Sequence, residues 1–196
     1  MSDTATDPTP VSPHADNEFV RQRLANRKAV AELGLKPYGV REDELVALAA
    51  AHDAYDAKAD AEHQQAEADR KAALKANPDA DVPASPDDRA RVRVAGRVVL
   101  HRDNGKLVWL NLRDATGDLQ IAVSKRDCTE AGFKLAKHTD LADIVVAQGP
   151  LMKTRAGELT IWADDLRAGA KAIEPPPEKH AGLSDPEARF RRRYVD

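Results

Sequence analysis

The chain has 196 residues, of which 32% are charged and only 4% aromatic, so its apolar side chains can fill one domain with appendages rather than several cores. Its single cysteine, Cys128, excludes an internal disulfide and fits a reducing compartment. No signal-peptide pattern is present before Pro13, and no apolar run reaches the roughly 18 residues of a membrane span, so we expect a cytoplasmic protein without membrane contact.

The formal net charge of −3 is unevenly distributed. Residues 1–88 carry 10 Lys+Arg against 18 Asp+Glu, a net charge of −8, whereas residues 89–172 carry 15 against 10, a net charge of +5. Residues 173–196 carry 5 of each. A basic domain suits a polyanionic partner, because Lys and Arg displace the counterions condensed on nucleic acid. An ordinary soluble surface would explain the same excess.

The N-terminal part begins with a polar stretch and a helix. Residues 1–17 contain three prolines and few apolar side chains, which predicts a disordered tail. Asn17 can cap a helix and Gly34 can end it, so we predict a helix over residues 18–33.

A second, alanine-rich helical segment is predicted over residues 42–75. Between residues 53 and 71 nearly every apolar position is alanine, which offers little surface for packing, so we expect this segment to be weakly anchored. The helical extension thus covers residues 18–76. An acidic, proline-rich linker over residues 77–88 separates it from the next domain.

From residue 89 the sequence changes to short runs of alternating, β-branched residues separated by turn signals. The predicted elements are strands over residues 91–100, 107–112, 119–123, 144–151 and 158–163, with a helix over residues 127–138. Gly96 predicts a bulge or sharp bend in the first strand, and Leu166 can continue the last. This order predicts a mainly β fold over residues 89–172, an OB-fold, which is a five-stranded, partly open barrel whose strands two and three bind oligonucleotides. A different five-stranded barrel would fit the same order.

Recognition of single-stranded nucleic acid requires aromatic faces for stacking and polar side chains for base edges. Trp109 and Asn111 alternate with leucines in the second strand, so they point outward if the leucines fill the barrel. Gln120 lies between two apolar residues of the third strand and is predicted to point outward beside Trp109, and Glu158 starts the fifth strand. A tryptophan in the core with solvated polar neighbours is the alternative interpretation.

Cations near these strands and turns are candidates for contact with phosphates. They are Arg97, Arg102, Lys106, Arg113, Lys153 and Arg155. No GxxxxGK[ST], HExxH or GxSxG motif occurs, and no cysteine or histidine has zinc-ligand spacing, so we predict no catalytic residue, metal or cofactor in this chain.

Two stretches of the predicted barrel resemble the anticodon-binding domain of class II lysyl-tRNA synthetases, namely VRVAGRVVLHRDNGKLVWLNLRDATGDLQIAV and DLADIVVAQGPLMKTRAGELTIWADDL. The ending KAIEPPPEKHAGLSDPEARFRRRYVD is similar to the connector that joins this domain to the catalytic domain of that family, so we interpret residues 173–196 as a connector. Aspartyl and asparaginyl synthetases share the barrel. The connector and the first helix, NEFVRQRLANRKAVAELGLKPY, resemble the lysyl branch.

This resemblance implies a site for a tRNA anticodon. Trp109 stands where the family carries an aromatic residue, usually Phe, that stacks on the middle anticodon uridine. Gln120 matches the glutamine that reads the same base, and Glu158 matches a glutamate of the fifth strand. His101 and Arg102 match a basic pair, with histidine in place of arginine. The full predicted anticodon-binding set is Trp109, Gln120, Glu158, Arg102, His101, Asn111 and Arg113.

The resemblance also implies that a complete enzyme uses ATP and Mg²⁺ to attach lysine to its tRNA and forms a homodimer. The class II catalytic motifs do not occur in this sequence, so aminoacylation is not expected of the isolated chain. Two other hypotheses stay open. One is a free-standing OB module that binds tRNA or single strands without catalysis, and the other is an assembly protein that acts through its alanine-rich helix.

Overall fold

A computed structural model describes residues 17–77, 82–174 and 186–191 of the chain. The tail predicted before Asn17 lies outside the described residues, as do residues 78–81 of the linker and most of the connector. Within the described residues, no helix combines the length and the apolar character that crossing a membrane requires.

The first helix, α1, spans Glu18–Glu32, one residue shorter than predicted. Asn17 caps it by accepting a hydrogen bond from the backbone N–H of Phe19, and Gly34 follows its C-terminus with a φ of +75°. Val30 is fully buried and belongs to the core of the barrel. Arg23 is also buried and donates to the carbonyl oxygen of Ala172 at 2.9 Å, which fixes the helix to the end of the barrel domain.

The alanine-rich segment forms two helices, α2 over Leu48–Asp53 and α3 over Ala57–Ala76. Anchorage of the segment is concentrated in α2 and at Asp60, the only buried residue of α3. Leu48 and Ala51 are fully buried in the same core cluster as the barrel strands, and the backbone N–H of Leu48 donates to Asp114 at 2.8 Å. Asp60 of α3 is only 2% exposed. One leucine and one buried carboxylate thus supply the anchorage that the alanines lack.

The following residues form a barrel, and the predicted OB-fold is confirmed. Its elements are β1 Arg91–Asp103, β2 Leu107–Arg113, β3 Asp118–Ser124, α4 Glu130–Lys137, β4 Ile144–Lys153 and β5 Leu159–Ala163. Neighbouring strands follow the order β1-β2-β3-β5-β4, and pairing of β1 with β4 closes the barrel. The pairing of β3 with β5 is parallel, and the other pairings are antiparallel.

A sixth strand, β6 over Asp165–Ala170, continues β5 along the same edge of β4, as the sequence around Leu166 indicated. The register of β1 against β2 shifts between Val98 and Leu100, two residues after the position at which Gly96 predicted a bulge or sharp bend. Gly96 permits a close approach of β2, because a Cβ atom there would lie 2.9 Å from the Cβ of Leu112. The last described helix, α5, spans Pro186–Arg191.

The core of the barrel comes from alternate residues of the strands. In β2 the buried positions are Val108, Leu110 and Leu112, each 0% exposed. Helix α4 adds Phe133 and Leu135 to the same cluster. This alternation fixes which side chains of β2 and β3 lie on the outside, where the candidate site is found.

Candidate nucleic-acid interface

The outside of the barrel carries a mixed aromatic and polar surface on β2, β3 and β5. Residues directly opposite each other on neighbouring strands point to the same side of a sheet. The register therefore produces two rows, one joining Trp109, Ala122 and Trp162 and the other joining Asn111, Gln120 and Thr160. We call these six residues the outer face.

Trp109 and Asn111 lie on the outer face because Leu110 and Leu112 fill the core. Both side chains are half-buried, and Trp109 stands opposite Arg102 of β1 and Ala122 of β3. The alternative interpretation, a tryptophan in the core, does not fit this register. An indole plane is thus available to a ligand at the centre of strand β2.

Gln120 lies on the same face but in the neighbouring row, opposite Asn111 rather than directly beside Trp109. It is 4% exposed, and two hydrogen bonds fix its amide group. The hydroxyl of Thr160 donates to its Oε1 at 2.9 Å, and its Nε2 donates to Glu158 Oε2 at 2.8 Å. The orientation of the amide is therefore fixed, with Oε1 towards Thr160 and Nε2 towards Glu158.

Glu158 ends the turn between β4 and β5 and is exposed, but it folds back onto Gln120. The fold thus brings together two side chains that are 38 residues apart in the sequence. Their neighbour Asn111 has a buried Oδ1 atom without a hydrogen-bond partner in the described part of the chain. A buried acceptor left unpaired costs about 1–3 kcal/mol.

Comparison with known proteins identifies the barrel. Residues 92–168 match a family whose description is an OB-fold nucleic acid binding domain of the tRNA anticodon type. The barrel is a tRNA anticodon-type OB domain. Within this domain, four of the six outer-face residues lie on strands two and three, where OB-folds bind oligonucleotides.

Curated relatives extend this similarity beyond the barrel. The chain is 35% identical over 195 residues to the lysine–tRNA ligase of Burkholderia cenocepacia, covering 97% of this chain and 34% of that protein. It is 34% identical over 176 residues to that of Leuconostoc mesenteroides, covering 90% and 30%. The ligase of Neisseria gonorrhoeae is 42% identical over 105 residues, covering 54% and 21%. The chain is thus homologous to the N-terminal regions of these ligases and spans about a fifth to a third of their length.

Three of the predicted cations have no hydrogen-bond or ion-pair partner among the described residues. Arg102 stands beside Trp109, whereas Lys106 and Arg155 lie on the turns before β2 and before β5. None of these three side chains forms a hydrogen bond or ion pair with the residues that the structure describes. They are therefore available to phosphates.

The other predicted cations have partners within the chain. Arg113 forms a two-pronged ion pair with Asp118, with distances of 2.6 Å, and this hydrogen bonding raises the pKa of Arg113. Arg97 donates to the carbonyl oxygen of Ala142 at 3.1 Å. The ammonium group of Lys153 lies 5.0 Å from the centre of the Tyr55 ring. Arg113 follows Trp109 and Asn111 on the same side of β2, and Arg97 stands opposite it on β1. Arg113 therefore lies beside the outer face, with its charge paired to Asp118.

His101 and Arg102, the predicted basic pair, point to opposite sides of β1. His101 stands opposite the core residue Leu110, whereas Arg102 stands opposite Trp109. Successive residues of a strand point to opposite sides, so two adjacent residues cannot both reach the indole. The ring Nε2 of His101 instead lies 3.0 Å from the carbonyl oxygen of Ala136 in α4.

Two residues of the anticodon-binding domain were missed by the sequence predictions. Thr160 orients the Gln120 amide, and Trp162 lies opposite Ala122 on the outer face. The indole N–H of Trp162 donates to Asp127 at 3.1 Å. Burial alone would raise the pKa of Asp127, but hydrogen bonds from Arg126, Ser124 and Trp162 hold it below its usual value. The alternation of Trp162 with Ile161 and Ala163 was the available signal.

Among the described residues, Cys128 and the acidic and histidine side chains are candidates for covalent and metal chemistry. Burial raises the pKa of the Cys128 thiol to about 11, so it remains protonated and a poor nucleophile at neutral pH. Among residues 17–77, 82–174 and 186–191, no group of three or more His, Cys, Asp or Glu is arranged to hold a metal ion. The arrangement of the outer face is suited to binding.

Proposed function

We propose that this chain binds the anticodon loop of a lysine-type tRNA and that the outer face selects the middle base. The observation that carries the proposal is the hydrogen-bonded pair of Gln120 and Glu158, held in the row next to the half-buried Trp109. In a longer protein this binding would serve a lysine–tRNA ligase, which attaches lysine to its tRNA with ATP and Mg²⁺ in the cytoplasm and acts as a homodimer.

Trp109 supplies the stacking surface. An exposed indole plane stacks on a base with about 1–3 kcal/mol, whatever the identity of the base. Arg102, opposite Trp109 on β1, can neutralise the phosphate of the same nucleotide. Stacking and charge therefore place the nucleotide on the barrel without selecting it.

Glu158 and Gln120 select the identity of the base. A carboxylate only accepts hydrogen bonds, whereas the Gln120 amide donates through Nε2 and accepts through Oε1. Uracil offers an N3–H donor between two carbonyl acceptors, which complements this pattern. Cytosine has an unprotonated N3 at the same position, so its lone pair would face the carboxylate. The mismatch leaves polar atoms unpaired on both sides and favours uridine by about 1–3 kcal/mol.

The proposal is tested with RNA stem-loops that differ only in the central anticodon base. We expect tighter binding of the uridine loop than of the cytidine loop, by about tenfold or more. The Glu158→Ala variant should lose most of this preference while it keeps stacking affinity. Equal affinities of the wild-type chain for both loops and for a scrambled loop would contradict anticodon recognition and favour a general single-strand-binding module.

A further inference from the structure

The alanine-rich extension forms hydrogen bonds with the end of β4, next to the candidate site. Asp60 of α3 is 2% exposed and accepts three hydrogen bonds. Its Oδ2 accepts from the Tyr55 hydroxyl at 2.9 Å and from the backbone N–H of Lys153 at 2.8 Å, and its Oδ1 accepts from Gln64 at 3.0 Å. A carboxylate with three donors in a buried position is held in one orientation.

Lys153, the last residue of β4, is held by the extension at three points. Asp60 accepts from its N–H, the Gln64 side chain donates to its carbonyl oxygen at 3.3 Å, and its ammonium group lies over the Tyr55 ring. Burial and the hydrogen bond to Asp60 raise the pKa of Tyr55 to about 12, so its hydroxyl stays a donor. Both the backbone and the side chain of Lys153 are therefore fixed by residues outside the barrel.

The turn that follows Lys153 carries Glu158. Within it, the N–H of Thr154 donates to the carbonyl oxygen of Glu158 at 3.0 Å, and the N–H of Glu158 lies 3.2 Å from the Thr154 hydroxyl. The N–H of Gly157 donates to the carbonyl oxygen of Thr154 at 2.8 Å. Thr154 thus links the fixed strand end directly to the backbone of Glu158.

We propose that Asp60 is a positioning residue for base selection, through which the helical extension sets the turn between β4 and β5 and so the reach of Glu158 towards a base. This inference rests on the proposed anticodon function. It gives the alanine-rich segment a role in specificity rather than in assembly.

The test compares Asp60→Ala with Asp69→Ala, a matched control in the exposed part of the same helix, where Gln65 is the one hydrogen-bond donor to Asp69 among the described residues. Each variant is titrated with the uridine and cytidine stem-loops. We expect Asp60→Ala to reduce the preference for the uridine loop about fivefold, as expected for a misplaced hydrogen bond, and Asp69→Ala to leave it unchanged. Asp60→Asn, which keeps one acceptor for Lys153, should restore part of the preference.

Two further readouts separate positioning from general loss of structure. The side-chain amide signals of Gln120 in a ¹⁵N-edited NMR spectrum report its bond to Glu158, and they should shift in Asp60→Ala and stay unchanged in Asp69→Ala. In a Glu158→Ala background, Asp60→Ala should have no further effect on the preference, because the group that it positions is gone.

The outcomes distinguish this inference from the proposed function. If the wild-type chain shows a uridine preference that Glu158→Ala removes, but Asp60→Ala retains both the preference and the Gln120 signals, Asp60 does not position the site. If the wild-type chain shows no preference at all, the proposed function fails and the inference fails with it.

Discussion

Replacing Thr160 tests whether its hydroxyl orients the side-chain amide of Gln120. This hydroxyl is fully buried and donates to Gln120 Oε1, for which the described residues provide no other donor. Replacing Thr160 by Val keeps the shape of the side chain and removes the hydroxyl, which also lies 3.2 Å from the carbonyl oxygen of Glu158. The Gln120 oxygen is then left buried and unpaired, which should lower the free energy of unfolding by about 1–3 kcal/mol.

This loss is measurable by urea denaturation, where it should move the unfolding midpoint by on the order of 1 M. The freed Gln120 amide can also rotate, so the preference for the uridine stem-loop should shrink in the same variant. Thr139→Val is a matched control, because the buried Thr139 hydroxyl donates at 2.9 Å to the carbonyl oxygen of Leu135, away from the outer face. It should reduce stability and keep the preference. A Thr160→Val chain with an unchanged midpoint and an unchanged preference would refute the reasoning.

Three other predictions follow from the same structure. Trp109→Ala should weaken the binding of both stem-loops by about 1–3 kcal/mol, and Trp109→Phe should weaken it much less. Fluorescence anisotropy of labelled RNA measures both affinities, and equal losses in the two variants would count against stacking. Replacing Arg102 by Gln should lower the slope of log affinity against log salt by about 0.7, whereas a slope that does not change would show that no phosphate is bound there. Burial opposes ionisation of Asp114, but hydrogen bonds from Leu48, Thr116 and Gly117 outweigh it and lower its pKa from 3.8 to about 2. Because the pKa of Asp114 is lower in the folded state, this stabilisation is present above about pH 4 and is lost as the pH falls towards 2. The free energy of unfolding should therefore fall more in acid for the wild-type chain than for Asp114→Asn.

The barrel was predictable because its signals are local. Alternation in β2 placed Leu110 and Leu112 inside and Trp109 outside, and the turn residues separated the strands in the order of an OB-fold. The same alternation, applied to His101 and Arg102, would have shown that only one of them can reach the indole.

The site was less predictable because its key contacts are long-range. The sequence indicated Gln120 and Glu158 separately, but their hydrogen bond depends on the parallel pairing of β3 with β5. The anchorage of the extension likewise depends on one carboxylate, Asp60, that meets a strand end 93 residues away. Composition indicates how well a helix can pack on average, but it does not reveal a single buried polar contact.

The proposed binding of RNA against Trp109 on the outer face can be observed directly by fluorescence. The chain contains two tryptophans, so a Trp162→Phe variant leaves Trp109 as the only indole fluorophore. Titration of this variant with the uridine stem-loop should quench Trp109 emission in proportion to binding, and the cytidine loop should require a higher concentration for the same quenching. Emission that stays constant while the RNA binds would place the nucleic acid elsewhere and contradict the account.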